Sequence, residues 1–566
     1  MKNTVRRVLG ALMLSLALPC LAQSEPPERP RVYAITGATV VTAPGETLSS
    51  ATVVLRDGLI EAVGAGVEPP ADAEVISGQG LYLYPGFIDA DTDLGRASSG
   101  GDSGGSAGGA GGAARSRRPS PGSRHPLGRI HPEWRTIDHL LPFEKDGDRS
   151  LGKYHKAGFT LALTTPEKGI LQGRSAAVLL LADLEVPRMT VDDNVALHVA
   201  FERGSFGQGY PTSLMGTVAA VRQAFFDAQR YAQWHTRYDA DPRGMKRPDR
   251  VPAYEALADA LAGEQKVHFR PSHRDDAILA HRIAEEFNLD AVIGATGHEW
   301  EIADRLGALG HPVIWPVAFP DKPKLDDADE ALDVSLRTMR RYIRAAEAPA
   351  MMHAAGVELA LTTRGLKSMG DFRDNVREMV EKGLPEEAAL AGLTMVPARL
   401  LGLERVAGSL ERGKMANLVA FDGPWLGEES AVRWLFVDGV AHEMEEKLPE
   451  GGDPDAVADP RGAWDVTFDF GSRSVERRWE IEGDAGEYEG SAETGSGEVS
   501  FERIKLVGNM LTVLFPAREG RPPLEMTVVI DGDQFEGTAS FGPRNVTAKG
   551  VRRDSPDEGR TGEEGR

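Results

Sequence analysis

Two carboxylates stand two residues apart in Phe87-Ile88-Asp89-Ala90-Asp91-Thr92-Asp93, a stretch that reads as a strand, so Asp91 and Asp93 share one face. A second short strand, Lys266-Val267-His268-Phe269, runs straight into Arg270 and sets an imidazole and a guanidinium on one face in the same way. Arg364 follows a strand at 358–362, and His298 lies just beyond another at 291–294. Asp91, Asp93, His268 and His298 offer oxygen and nitrogen donors suited to zinc or manganese. Taken singly, His268 and His298 each read as strand-wall histidines with local partners.

Other residues are set aside. Asp89 reads as a group that orders the end of its strand. The run Gly169 to Ser175 lacks the Gly-Lys-Ser/Thr of a phosphate loop and leads into a strand, so no nucleotide site is expected. His273 and His353 read as loop or helix residues, and Lys168 as a solvated turn residue.

The elements that must position these groups show a repeating order. Apolar strands are expected at 159–163, 176–181, 266–269, 291–294, 312–315 and 358–362. Helices are expected at 213–231, 276–287, 299–309, 331–346 and 371–382. Repeated βα units of this length argue for a parallel sheet, and eight of them for a TIM-like barrel. Short strands at 31–84 and 410–442 flank this region, and 464–551 is purely β in character, a separate barrel or sandwich with Trp464 in its core. A Pro/Asp/Gly-rich linker, 449–462, precedes it. Residues 97–128 are Gly, Ser, Arg and Pro in low complexity, a composition that cannot offset its ordering entropy, and are expected to be a disordered loop.

The chain has 566 residues, 86 acidic and 64 basic, for a formal charge of −22, which argues against a nucleic-acid binder. Its one cysteine, Cys20, excludes a disulfide within the chain and a cysteine zinc site. Lys2, Arg6 and Arg7 precede an apolar run from Val8 to Leu18, too short to span a bilayer. Residues 1–22 therefore read as a cleaved secretory signal, implying a periplasmic or secreted protein with no membrane span.

Several stretches together resemble the amidohydrolase superfamily, imidazolonepropionase-like branch. They are "ITGATVVTAPGE", "VVLRDGLIEAVG" and "YPGFIDADTDLG" early in the chain, and "LTMVPARLLGLERVAGSLERGKMANLVAFDG" late in it. The resemblance covers roughly residues 31 to 445. It implies a (β/α)8 barrel (85–395), a composite β-sandwich from both flanks (31–84 and 396–445), and metal-assisted hydrolysis of non-peptide C–N bonds, with a cyclic amide or other small molecule as partner. A C-terminal β-domain (463–552), lipocalin-like or similar, and a charged tail (553–566) lie beyond it. A homo-oligomer is left open.

The resemblance also implies positions. The family's first-strand His-x-His falls on Asp91 and Asp93, its fifth-strand His on Arg270 and its eighth-strand Asp, the usual general base, on Arg364. Its fourth-strand lysine has no counterpart. These substitutions imply a metal-free site, with Asp91 and Asp93 meeting Arg270 and Arg364 at the barrel mouth, and no residue is assigned a catalytic role. Two function classes follow: a C–N hydrolase, or a non-catalytic extracytoplasmic protein that binds a ligand or partner.

Overall fold

The computed structural model describes residues 32–96, 125, 127–145, 149–202, 210–323, 332–428, 430–444, 451–453, 456–469, 474–484, 487–494, 497–501, 503–516, 524–541 and 544–553. The segment read from sequence as a signal, 1–22, most of the low-complexity stretch 97–128 and the residues beyond Arg553 lie outside them. The chain divides into two compact units, Met1–Met444 and Glu445–Arg566. No helix among the described residues is long and apolar enough to cross a membrane.

The first unit holds the barrel. Five staves run parallel in the order Ala196–Ala200, Lys266–Arg270, Ala291–Gly294, Val313–Pro316 and Leu359–Thr362. Phe87–Thr92 and Phe159–Thr164 form another parallel pair. The six residues of Phe87–Thr92 are all buried, as expected of a strand covered on both faces. The Thr362 hydroxyl, at the end of the last stave, donates to Asp89 on the first at 2.7 Å, so the ring meets there through side chains.

Between the two groups lies a departure from the expected repeat. Leu171–Arg174 runs antiparallel to Ala196–Ala200, and Ala176–Leu179 antiparallel to Phe159–Thr164, so one reversed segment bridges the sheets. The Gly169 to Ser175 run, rejected from sequence as a phosphate loop, contains the first strand of this segment, Leu171–Arg174. Gly173 belongs there because its φ is +108° and a Cβ would lie 2.4 Å from the Trp134 carbonyl oxygen.

The helices follow the expected order with shifted bounds. Leu214–Ala240 runs past the expected end at 231, since no Gly or Pro intervenes before Pro242. Its N-cap is Ser213, whose hydroxyl accepts from the Gly216 amide. The helix expected at 331–346 is instead Leu336–Arg344 followed by Ala348–Ala354, with Pro349 opening the second piece at a position where no amide is needed. That expected at 299–309 opens with a 3-10 turn, Glu299–Ile302.

Strands from both flanks of the barrel join in one eight-stranded sheet. Tyr82–Pro85, leading into the barrel, pairs antiparallel with Leu418–Phe421, which leaves it. On one side follow Val432–Val437 and Val440–Glu443, and on the other Tyr33–Ala43, Glu46–Arg56 and Leu59–Gly64, with Glu74–Ser77 also on Tyr33–Ala43. The far edge returns to the segment before Leu418: Ile60 N–H donates to the Lys414 carbonyl at 2.9 Å and Ala416 N–H to the Gly58 carbonyl at 2.7 Å. The sheet so encloses its own apolar core, which includes Ile35, Val53, Leu83, Leu418 and Phe436.

The second unit is a nine-stranded antiparallel meander in which its first strand, Gly462–Asp469, pairs with its last, Arg544–Arg552. Trp464 and Trp479 are fully buried in its core, and the Trp464 indole N–H donates to the Pro460 carbonyl at 2.8 Å.

Candidate functional site at the barrel mouth

Parallel staves deliver side chains from their carboxyl ends to one face of a barrel. Asp91 stands near the end of Phe87–Thr92, Thr165 just past Phe159–Thr164, Arg270 at the end of Lys266–Arg270, and Arg364 two residues past Leu359–Thr362. All four converge on one oxygen. Asp91 Oδ1 accepts from Arg270 Nη2 at 2.6 Å and from the Thr165 hydroxyl at 2.8 Å, and pairs with Arg364 Nη2 at 2.9 Å. Arg364 Nη2 donates to Thr165 Oγ1 at 2.8 Å, and Arg270 Nη2 bonds the same hydroxyl. Arg270 Nη1 donates to the Pro166 carbonyl at 2.7 Å and weakly to Gln172 Oε1 at 3.4 Å. That glutamine comes from the reversed stave, which so buttresses the guanidinium.

Burial alone would raise the Asp91 pKa, but attraction to Arg270 and Arg364 overrides it and lowers it to about 2. Burial pushes the Arg270 pKa down against the pull of Asp91, while in Arg364 the carboxylate prevails and raises it.

Asp93 does not join this network. The strand ends at Thr92 and the chain turns at Gly95, which has a φ of +71°. The two-residue alternation therefore stops before Asp93, whose side chain is exposed. Asp89, two residues before Asp91, is the other buried carboxylate on this strand and pairs with neither arginine. Asp89 accepts from the Thr362 hydroxyl, from the Thr363 amide and hydroxyl, and from the Asp91 amide at 3.3 Å. These bonds tie the first stave to the last, the ordering role read from its sequence context.

Desolvation raises the Asp89 pKa to about 6 despite those donors. This carboxyl is raised in the folded state, so the folded chain holds an extra proton between about pH 4 and 6, and stability falls as pH rises through that window. At about 1.4 kcal/mol per unit, the wild type should lose about 3 kcal/mol relative to Asp89→Asn from pH 4 to 7. Asp91 acts in the opposite sense, its stabilisation being lost only as pH falls from about 4 towards 2. Denaturant titrations of the two proteins across this range test the point: parallel pH profiles would refute it.

His268 is 1% exposed and stands beside the network. Its register partner on the next stave is His198, at 0% exposure and 4.7 Å between ring centroids. None of the four ring nitrogens has a protein hydrogen-bond partner. Burial lowers both pKa values, that of His268 to about 3. His198 escaped the sequence reading. The signal was present in Ala196-Leu197-His198-Val199-Ala200, an apolar run just long enough for a buried strand.

His298 belongs elsewhere. It is half-buried after Ala291–Gly294, and the charged groups that bear on it are Arg341, Arg337, His273 and Arg274. The structure therefore gathers Asp91, Arg270, Arg364 and His268, and leaves Asp93 and His298 outside. Among the described residues no three His, Cys, Asp or Glu side chains converge in an arrangement that could hold a metal ion.

Residues 256–442 match the amidohydrolase family model. Over 101 residues, 15% of this chain, the sequence is 33% identical to the amidohydrolase tasK of Hapsidospora irregularis, a stretch covering 10% of that protein's length. An amidohydrolase structure from Thermotoga maritima covers 72% of this chain and 99% of its own at 24% identity, with a TM-score of 0.57. That likeness is one of fold, a barrel domain beside a β-rich one. A prolidase complexed with N-methylphosphonate-L-proline covers 73% of this chain and 100% of its own, at 15% identity and a TM-score of 0.43.

Proposed function

Since the chain carries an amidohydrolase family domain over residues 256–442, we propose that its barrel is a metal-free descendant of that family, binding a small-molecule ligand at the mouth without hydrolysing it. One observation carries this reading: the Asp91 carboxylate, at a position where the family holds a metal ligand, is engaged by two guanidinium groups. Arginine cannot donate a lone pair and stays cationic, so Arg270 and Arg364 repel a divalent ion from the place where it would sit. The donor set does not fit the family's metal. The same guanidinium pair suits an anionic or strongly polar ligand, which would share it with Asp91. On the signal reading of residues 1–22, this binding takes place in the periplasm or outside the cell.

A competing reading, hydrolysis by a loaded metal, draws on His198 and His268, whose buried ring nitrogens have no protein partner. It requires both arginines to leave Asp91. Elemental analysis of the purified full chain separates the two. The expected result is no stoichiometric zinc or manganese, and no cleavage of cyclic amides before or after incubation with either metal. Stoichiometric metal that is lost on Asp91→Ala would replace this proposal with a site built from Asp91, His198 and His268.

A further inference from the structure

A second cavity, about 320 Å³, opens among the loops beyond the neighbouring staves. Arg274 and His273 reach it from the loop after Lys266–Arg270, Thr296 and His298 from the loop after Ala291–Gly294. Arg337 and Arg341 complete it, one turn apart on the helix Leu336–Arg344. Arg274 is paired, with Glu301 and with Asp275 at 3.5 Å. The other two arginines are not. Arg337 Nη1 meets His273 Nε2 at 3.3 Å and Arg341 Nη2 donates to the Thr296 carbonyl at 3.3 Å. Among the described residues neither has a carboxylate within 4.0 Å.

Like charges one helical turn apart repel, and two imidazoles facing them give no compensation. The chain as a whole carries a charge of −22, so this cationic cavity is opposite in sign to the protein's net charge. Its walls are held in advance. The buried Glu299 carboxylate accepts from the amides of Thr296, Gly297 and His298 at 2.9, 2.9 and 3.0 Å, which fixes the loop that carries His298, while Asp275 lies 3.3 Å from His273 Nδ1. The position, at the carboxyl ends of parallel staves, is where barrel folds take their ligands.

We propose that this cavity binds the phosphate or carboxylate group of a small molecule, with Arg337 and Arg341 as paired donors and His273 and His298 beside them. The site is independent of the metal-free reading of the mouth, because a metal-loaded chain would carry it equally.

Calorimetric titration of the full-length protein with inorganic phosphate, and separately with acetate, tests it in low-salt buffer. Saturable binding of either anion is expected, weakened about tenfold or more by Arg337→Gln and by Arg341→Gln. The helix Leu336–Arg344 buries none of its residues, so both variants should fold and melt as the wild type does. Arg243→Gln, an exposed arginine outside both the mouth and this cavity, should leave the affinity unchanged. The proposal is overturned if neither anion binds, or if both arginine variants bind as tightly as the wild type, which would put the anion elsewhere on the chain.

Discussion

Asp91→Ala should destabilise the barrel unit by about 3–5 kcal/mol, the usual cost of removing one member of a buried ion pair. Asp91 is 4% exposed, and the alanine would leave two guanidinium groups facing each other with only the Thr165 hydroxyl between them. The loss should be non-additive. Arg364→Gln should cost less in the Asp91→Ala background than alone, because the repulsion it relieves exists only there; the coupling should reach about 0.5–3 kcal/mol. The intact network need not be strongly stabilising, since desolvating three charges offsets their attraction. Urea denaturation of the four proteins of the cycle measures this, and a loss below about 1 kcal/mol for Asp91→Ala would mean that the pairing is solvated and not buried.

The second large effect is expected at Phe87, four residues before Asp91. Its ring is fully buried, with centroids 5.4 Å from Trp425, 6.0 Å from Phe159, 6.2 Å from Phe421 and 6.5 Å from Phe372. These partners come from a barrel stave, the flanking sheet, the loop after it and the helix Asp371–Glu381, so one side chain fastens four parts of the unit. The backbone beside it is equally close: a Cβ on Gly86 would lie 2.3 Å from Thr160 Oγ1, leaving little room for collapse around a cavity. Phe87→Ala should therefore cost about 3–5 kcal/mol, and Phe87→Leu less than half of that. The substitution also shifts the stave that presents Asp89 and Asp91. Thermal and denaturant unfolding test the magnitude; equal losses for alanine and leucine would show that ring packing is not what holds this junction.

Particular residues show how far the sequence could be read. Arg270 and Arg364 were legible as partners of Asp91 through the family resemblance, which sets all three at ligand positions on strand ends, and strands of a barrel release their side chains at a common face. Asp93 was not, since alternation predicts a shared face only while the strand lasts, and nothing in Asp91-Thr92-Asp93 announces that it stops at Thr92. The stave Ala196–Ala200 went unseen because two alanines and a histidine dilute its β-propensity and a five-residue buried run has no periodicity to detect. The reversed stave was hidden because its run carries Gly169 and Gly173, residues common in loops, although Gly173 is required in fact by the close approach of the Trp134 carbonyl. The break at Ala345 to Glu347 lies in a segment whose helical pattern is otherwise continuous; Pro349 marks it only in retrospect.

The pairing of Tyr82–Pro85 with Leu418–Phe421 has a consequence for the order of events at the ribosome. About 330 residues separate these neighbours, and at roughly 5–20 residues per second the second strand emerges some 15–70 s after the first. Through that interval the edge carrying Leu83 and Tyr84 has no partner, although both side chains are buried once it has one. An unpaired apolar edge is a template for wrong pairing. Leu418–Phe421 thus acts as a latch: until residue 421 is made, the early strands are a hazard to the cell, and a chain interrupted anywhere inside the barrel leaves that hazard permanently open.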